Sequence, residues 1–246
     1  MKKFVKKLQS LLPTRRRIIQ LYAALLTNAN IKGFASGRIY QGNSKYLCVP
    51  GLNCYSCPGA VGACPLGSLQ TALAASNTRL PAYIFGILIL MGLALGRTIC
   101  GFLCPFGLVQ DLLYKIPSPK LKKNRVTRIL SYGKYVTLAI FVVLMAFLFA
   151  SPAFCKYICP AGTLGGAMGL LFHKDNVAFV EILGGLFTWK FALMVAILTA
   201  SVFIFRPFCR FLCPLGAIYG FFSKLALIGV KLDKKACTDC GLCVAT

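Results

Sequence analysis

Three short units of one form recur in the chain: Cys100-x3-Cys104-Pro105, Cys155-x3-Cys159-Pro160 and Cys209-x3-Cys213-Pro214, each with a glycine two residues after the proline. Their first cysteines lie 55 and 54 residues apart, a regularity that marks an internal repeat. Paired thiols at this spacing suit a metal better than a disulfide framework. Two such pairs supply the four thiolates that an iron–sulfur cluster takes. The proline adds a physical reason: it is favoured at the first position of a helix, where its missing N–H is not needed. The second cysteine then sits at the helix N-cap, with free N–H groups and the positive helix end facing an anionic cluster.

Two further groups extend the pattern. Cys48, Cys54, Cys57 and Cys64 fall in the first long polar stretch, residues 36–80. There Cys64-Pro65-Leu66-Gly67-Ser68-Leu69-Gln70 parallels Cys104-Pro105-Phe106-Gly107-Leu108-Val109-Gln110, so this loop carries a degenerate copy of the unit. Cys237, Cys240 and Cys243 have the spacing that opens the bacterial ferredoxin run C-x2-C-x2-C-x3-C-P. The fourth cysteine would fall at position 247, so residues 227–246 read as a truncated ferredoxin-type segment. Zinc is the competing metal, since it also uses C-x2-4-C spacing. The repeated CxxxCP after apolar runs and the third cysteine of the ferredoxin run favour iron–sulfur.

The elements that position these thiols follow from composition. The 246 residues are 58% hydrophobic and 13% charged, against roughly a quarter charged in a soluble domain. Only five acids, Asp111, Asp175, Glu181, Asp233 and Asp239, stand against 28 Lys and Arg, for a net charge of +23. Nucleic acid could account for such a charge, but the basic residues sit between apolar runs, as in a membrane protein. The predicted fold is all-α and integral to a membrane. Residues 1–17 form a basic tail without a removable signal peptide, and 18–226 form a membrane domain of about four helices with CxxxCP cluster-binding loops. Apolar runs cover 18–34, 83–95, 132–150 and 191–205, the first interrupted by Asn28, Asn30 and Lys32. A further helix between 177 and 186 would change that count.

Orientation follows from the basic residues. With the N-terminus inside, segments 1–17, 97–128 and 206–246 hold 20 of the 28 basic residues and the opposite loops hold 7. Both termini are then cytoplasmic. Cys100, Cys104, Cys209 and Cys213 share the inner face as one cluster site, with Arg97, Arg206 and Arg210 to compensate its charge. Cys155 and Cys159 share the opposite face with Cys48, Cys54, Cys57 and Cys64. Six thiols there fill one four-ligand site and leave two over, unassigned; a Cys48–Cys54 disulfide is one option on an oxidising face.

Other residues carry weaker signals. His173, the only histidine, sits beside Lys174 and Asp175 and reads as a solvated loop residue; Glu181 reads as interfacial. Trp189 and Tyr132 suit an interfacial aromatic belt, and Gly92 with Gly96 suits close helix packing. A single histidine leaves no Ser-His-Asp set, and no glycine-rich nucleotide motif precedes a strand.

The recurrent CxxxCPxG units and the run Cys48-Val49-Pro50-Gly51-Leu52-Asn53-Cys54-Tyr55-Ser56-Cys57-Pro58-Gly59-Ala60 resemble the NapH/NosR-type membrane polyferredoxins over residues 14–246. The resemblance implies two or more [4Fe-4S] clusters in a bacterial-type cytoplasmic membrane. Cys100, Cys104, Cys209, Cys213, Cys237, Cys240 and Cys243 would be ligands. It also implies a non-catalytic electron-transfer subunit that relays single electrons between a quinol or flavin donor and a redox partner protein. Its alternative is an accessory, maturation or regulatory role for a metalloenzyme. The expected partners are membrane lipid and a redox protein, not nucleic acid.

Overall fold

A computed structural model describes residues 15–75, 82–121, 125–171 and 184–229. The first 14 residues of the basic tail, His173, Glu181, the 177–183 part of the extra-helix expectation, and Cys237, Cys240 and Cys243 lie outside the described residues. The described residues are helical, with no strand and one isolated parallel bridge, Cys48–Ala63.

In chain order the helices are α1 (Arg15–Thr27), α2 (Ile31–Ser36), α3 (Pro65–Ala74), α4 (Ala82–Leu95), α5 (Thr98–Phe102), α6 (Pro105–Leu113), α7 (Arg125–Phe149), α8 (Ala153–Tyr157), α9 (Gly162–Leu171), α10 (Gly185–Phe203), α11 (Pro207–Phe211) and α12 (Pro214–Phe222). Two of them, α7 and α10, are long and apolar enough to cross a membrane. Helix α4 is apolar but has 14 residues, which rise about 21 Å against a hydrocarbon core of about 30 Å. Large apolar side chains along these helices are exposed, among them Leu90, Val126, Phe147, Phe149, Trp189 and Val195.

The apolar run over 18–34 breaks between α1 and α2, at the interruption that its polar residues mark. The break has a physical cause in its polar residues. Asn30 Nδ2 donates to Pro58 O at 2.8 Å, and the Asn30 N–H donates to Gly59 O. The Thr27 carbonyl accepts from Asn53 Nδ2 and from the Val61 N–H. The interruption therefore anchors the cysteine loop of residues 48–64, and a straight helix would leave that loop unheld.

The GxxxG pair behaves as its spacing suggests. A methyl group on Gly92 would lie 2.6 Å from the Phe222 ring, so α12 docks on α4 only because the side chain is missing. Gly96 adopts φ +50, a left-handed conformation that ends α4 and turns the chain into α5.

The core is one cluster. It contains Cys64, Cys104, Cys159 and Cys213 with Leu66, Ile99, Phe106, Phe154, Phe208, Leu215 and Tyr219. Thiols expected on two opposite faces therefore share one interior.

Candidate metal centre

Each CxxxC unit folds as a one-turn helix, a turn and a second helix. Cys100, Cys155 and Cys209 lie in the one-turn helices α5, α8 and α11. Cys104 and Cys213 are the N-caps of α6 and α12, with proline in the first turn, as the sequence predicts. Cys64 caps α3 in the same way, which makes the degenerate copy a structural one. The N–H groups of Leu66, Gly67 and Asn53 point at the Cys64 thiol, and those of Ala161 and Gly162 at Cys159. These are the donors that a thiolate at a helix N-terminus requires.

The thiols gather into two sets of four. Cys209 interacts electrostatically with Cys104 and Cys100, and Cys213 with Cys209, Cys100 and Cys104. In the second set Cys155 interacts with Cys159, Cys64 and Cys54, and Cys159 with Cys54 and Cys64. Cys48, Cys54, Cys64, Cys155 and Cys159 line a cavity of about 730 Å³, with Lys45 and Lys190 at its wall. The other two thiols of the first loop lie beside this set: Cys57 interacts electrostatically with Cys54, and Cys48 lines the same cavity. Cys48 donates to Ser68 Oγ at 3.9 Å, and Cys57 to Asn28 Oδ1 at 3.7 Å. Cys48 and Cys54 are both free thiols in this structure.

The glycine-rich start of α9, wound as a π-helix over Gly162–Ala167, makes room for the second set. A methyl group on Gly166 would sit 3.5 Å from Cys54 Sγ and 3.2 Å from Ser56 Cβ; one on Gly165 would sit 3.4 Å from Cys57 Sγ. A methyl group at Gly166 would press on Ser56, and the bare helix face lets the 54–57 loop lie directly on it.

The cations are placed unequally. Arg206 and Arg97 act on the Cys100 thiol, and so does Lys134, a buried residue of α7 that the sequence reading passed over. Arg206 also acts on Cys209. Arg210, expected to join them, has its guanidinium over the Phe211 ring at 5.5 Å. Arg206 Nε donates to Asp111 Oδ1 at 2.6 Å, and Arg206 Nη1 donates to the Cys100 carbonyl at 2.7 Å. Arg16 Nη2 reaches Asp111 Oδ2 at 2.8 Å, and Arg16 Nε reaches the Gly101 carbonyl at 3.1 Å. Asp111 thus orients two arginines onto the Cys100–Cys104 turn. The rarity of acids in this chain was the available signal for it.

The two sets are neighbours. Phe154 and Phe208, each one residue before a first cysteine, lie 6.5 Å apart between ring centroids. A methyl group on Gly51, in the cysteine loop, would lie 2.9 Å from Cys104 Cα. Tyr219, fully buried, interacts with Cys64 of one set and Cys100, Cys104 and Cys213 of the other, and its hydroxyl donates to Pro50 O at 2.9 Å. The expectation of one site on each membrane face is corrected accordingly. Faces about 30 Å apart would not let one tyrosine reach both sets.

The donor set fits an anionic iron–sulfur cluster. Burial pushes the Cys64 thiol up to about 11, and the Cys100 and Cys159 thiols up to about 12. Desolvation is the largest cause in each case, so these groups stay protonated unless a bound metal stabilises the thiolate. Among the described residues no three of His, Cys, Asp and Glu converge closely enough to hold a single metal ion.

Comparison with known proteins gives the same chemistry. The family described as "4Fe-4S binding domain" matches residues 77–124, 135–175 and 186–235. An uncharacterised protein of Methanocaldococcus jannaschii is 29% identical over 164 residues, covering 64% of this chain and 60% of the relative. The methylamine utilization ferredoxin-type protein MauN of Paracoccus denitrificans is 28% identical over 182 residues, 72% of this chain and 58% of the relative. The regulatory protein NosR of Pseudomonas aeruginosa is 31% identical over 152 residues, 58% of this chain and 19% of that longer protein. The chain spans about three fifths of the first of these relatives and less of NosR. No solved structure matches it.

Proposed function

Because the chain belongs to the 4Fe-4S binding domain family, we propose that it is a membrane-bound iron–sulfur protein that relays single electrons between a quinol or flavin donor and a redox partner protein. The observation that carries this reading is the pair of four-thiol sets around one shared core. Cys100, Cys104, Cys209 and Cys213 would hold one [4Fe-4S] cluster; Cys54, Cys64, Cys155 and Cys159 would hold a second. Cys237, Cys240 and Cys243 are candidates for a further one. A bound cluster supplies one-electron redox chemistry. The chain's own residues supply thiolates, N–H donors at helix N-termini, cations that offset the cluster's charge, and a water-poor core. In this reading the chain acts as an electron-transfer subunit.

Membrane insertion is supported by α7 and α10 and by the apolar side chains that they and α4 expose. Helices apolar all round are either buried in protein or in lipid. The bias of basic residues favours a multi-pass arrangement in the cytoplasmic membrane with both termini inside.

Iron and acid-labile sulfide, measured per chain on protein purified without oxygen, test this reading. About eight of each fit two four-iron clusters. Zinc without iron would overturn it. A second reading, a regulatory or maturation role, is favoured by one relative whose name is regulatory protein NosR. Deleting the gene separates the two. Loss of a relay leaves an intact acceptor without electrons, and loss of a maturation factor leaves the acceptor without its cofactor.

A further inference from the structure

Two fully buried glutamines occupy equivalent places, and ligand chemistry alone does not account for them. Gln70 follows Cys64 by six residues, and Gln110 follows Cys104 by six. Each sits on the helix capped by one half of a site and reaches the first cysteine of the other half. Gln110 Nε2 donates to Cys209 Sγ at 3.0 Å, and its Oε1 accepts from the Phe208 N–H at 3.2 Å. Gln70 Nε2 donates to Cys155 Sγ at 3.3 Å, and its Oε1 accepts from the Phe154 N–H at 3.0 Å. Gln70 Nε2 also lies 3.5 Å from the Leu66 carbonyl of its own helix.

The two-sided contact fixes the direction of each amide. Turned over, the NH2 group would face a backbone N–H and the carbonyl would face sulfur. A buried amide is costly unless it is hydrogen-bonded, and a leucine of similar size would fill the same space without that demand. The same costly choice appears twice, with the same two partners, so it answers a need of the sulfur. Hydrogen bonds to ligand sulfurs offset the extra negative charge of the reduced cluster and thereby raise its potential.

We propose that Gln70 and Gln110 are positioning residues that set the reduction potentials of the two clusters one for one, Gln70 through Cys155 and Gln110 through Cys209. Each amide turns the first cysteine of a CxxxC unit toward the cluster and draws charge from its sulfur. The inference rests on the cluster reading above.

The test is a redox titration of the full chain, followed by electron paramagnetic resonance, with Gln110→Leu and Gln70→Leu compared to the unsubstituted protein. In Gln110→Leu the cluster held by Cys100, Cys104, Cys209 and Cys213 is expected at a lower potential, with the other unchanged. Gln70→Leu is expected to do the reverse. Potentials that stay put, or that move together in either variant, overturn the proposal. Since each substitution strands a backbone N–H and can impair folding, a second measurement uses the unsubstituted protein. Glutamine labelled with nitrogen-15 in its side-chain amide is expected to couple to both reduced clusters in pulsed resonance spectra. Iron-loaded protein without that coupling sinks the role of the amides and leaves the cluster reading standing; a chain without iron sinks the cluster reading itself.

Discussion

Phe154 packs on Phe208 with ring centroids 6.5 Å apart, and each ring stands one residue before the first cysteine of a different site. Phe208 also meets Phe106 edge-on at 5.2 Å, two residues after Cys104. The peptide that leads into Cys155 is thus joined to the peptides around Cys209 and Cys104 by direct aromatic packing. Tyr219 makes a second link, since it faces thiols of both sets. Two sites joined in this way belong to one packed core.

Clusters held in such a pair are expected to sense one another magnetically. In the fully reduced protein the resonance spectrum should be broadened or split by spin–spin interaction and should relax faster than either cluster alone. Cys104→Ser, which removes one cluster, should restore the simple spectrum of the other. A fully reduced spectrum equal to the sum of two independent signals would place the clusters apart and contradict the shared core.

The thiol assignment makes a second, quantitative expectation. Cys104→Ser or Cys159→Ser should lower iron from about eight to about four per chain, one four-iron cluster. With Cys54 and Cys64 as the loop's ligands, Cys48→Ala and Cys57→Ala should leave it at about eight, since their thiols have Ser68 and Asn28 as hydrogen-bond partners. A drop in iron for Cys57→Ala equal to that for Cys159→Ser would move the site one turn along the loop.

Much of this was legible in the sequence, and the part that was not has a physical reason. The Cys-Pro N-caps were readable because the cap and the first helical position are set locally. The grouping of Cys100 and Cys104 with Cys209 and Cys213 was drawn from the inner face that the basic residues assign to both, since the repeat alone has three equivalent copies. The first loop was not readable. Nothing in the spacing of Cys48, Cys54, Cys57 and Cys64 selects two of them as ligands. The closeness of the two sites was also hidden. Hydropathy separates lipid-facing from loop residues but does not show loops folding back into the core. The glutamines had a local signal, the matched position after Cys-Pro, but their partners lie 85 and 99 residues away.

Asp111 holds two arginines on the Cys100–Cys104 turn from a position 7% exposed. Asp111→Ala leaves Arg206, itself 9% exposed, as an uncompensated buried charge. Breaking a buried pair by removing one partner costs about 3–5 kcal/mol. The variant is expected to unfold at lower temperature or denaturant concentration than the parent. It should also lose the Cys104 cluster before the Cys159 cluster during mild iron chelation. A variant as stable as the parent, losing both clusters at equal rates, would show that the pair does not support this site.

Lys134 is a further cation of the first site, beside Arg97, and its effect has a definite sign. It is 9% exposed and interacts electrostatically with Cys100 and Cys213. Its ammonium lies over the Tyr135 ring at 5.1 Å, within reach of a cation–π contact. A nearby positive charge stabilises the reduced, more negative state of an anionic cluster, so its removal favours the oxidised state. Lys134→Met keeps the volume of the stem and deletes the charge. The cluster at Cys100, Cys104, Cys209 and Cys213 is therefore expected to titrate at a lower potential in Lys134→Met, while the cluster at Cys54, Cys64, Cys155 and Cys159 shifts less. Lys134→Arg, which keeps the charge, should stay near the parent potential. The comparison isolates electrostatics from packing, since a shift caused by altered packing would appear in the arginine variant as well. An equal shift of both clusters in Lys134→Met would mean that the ammonium acts on the core as a whole and not on the site it borders.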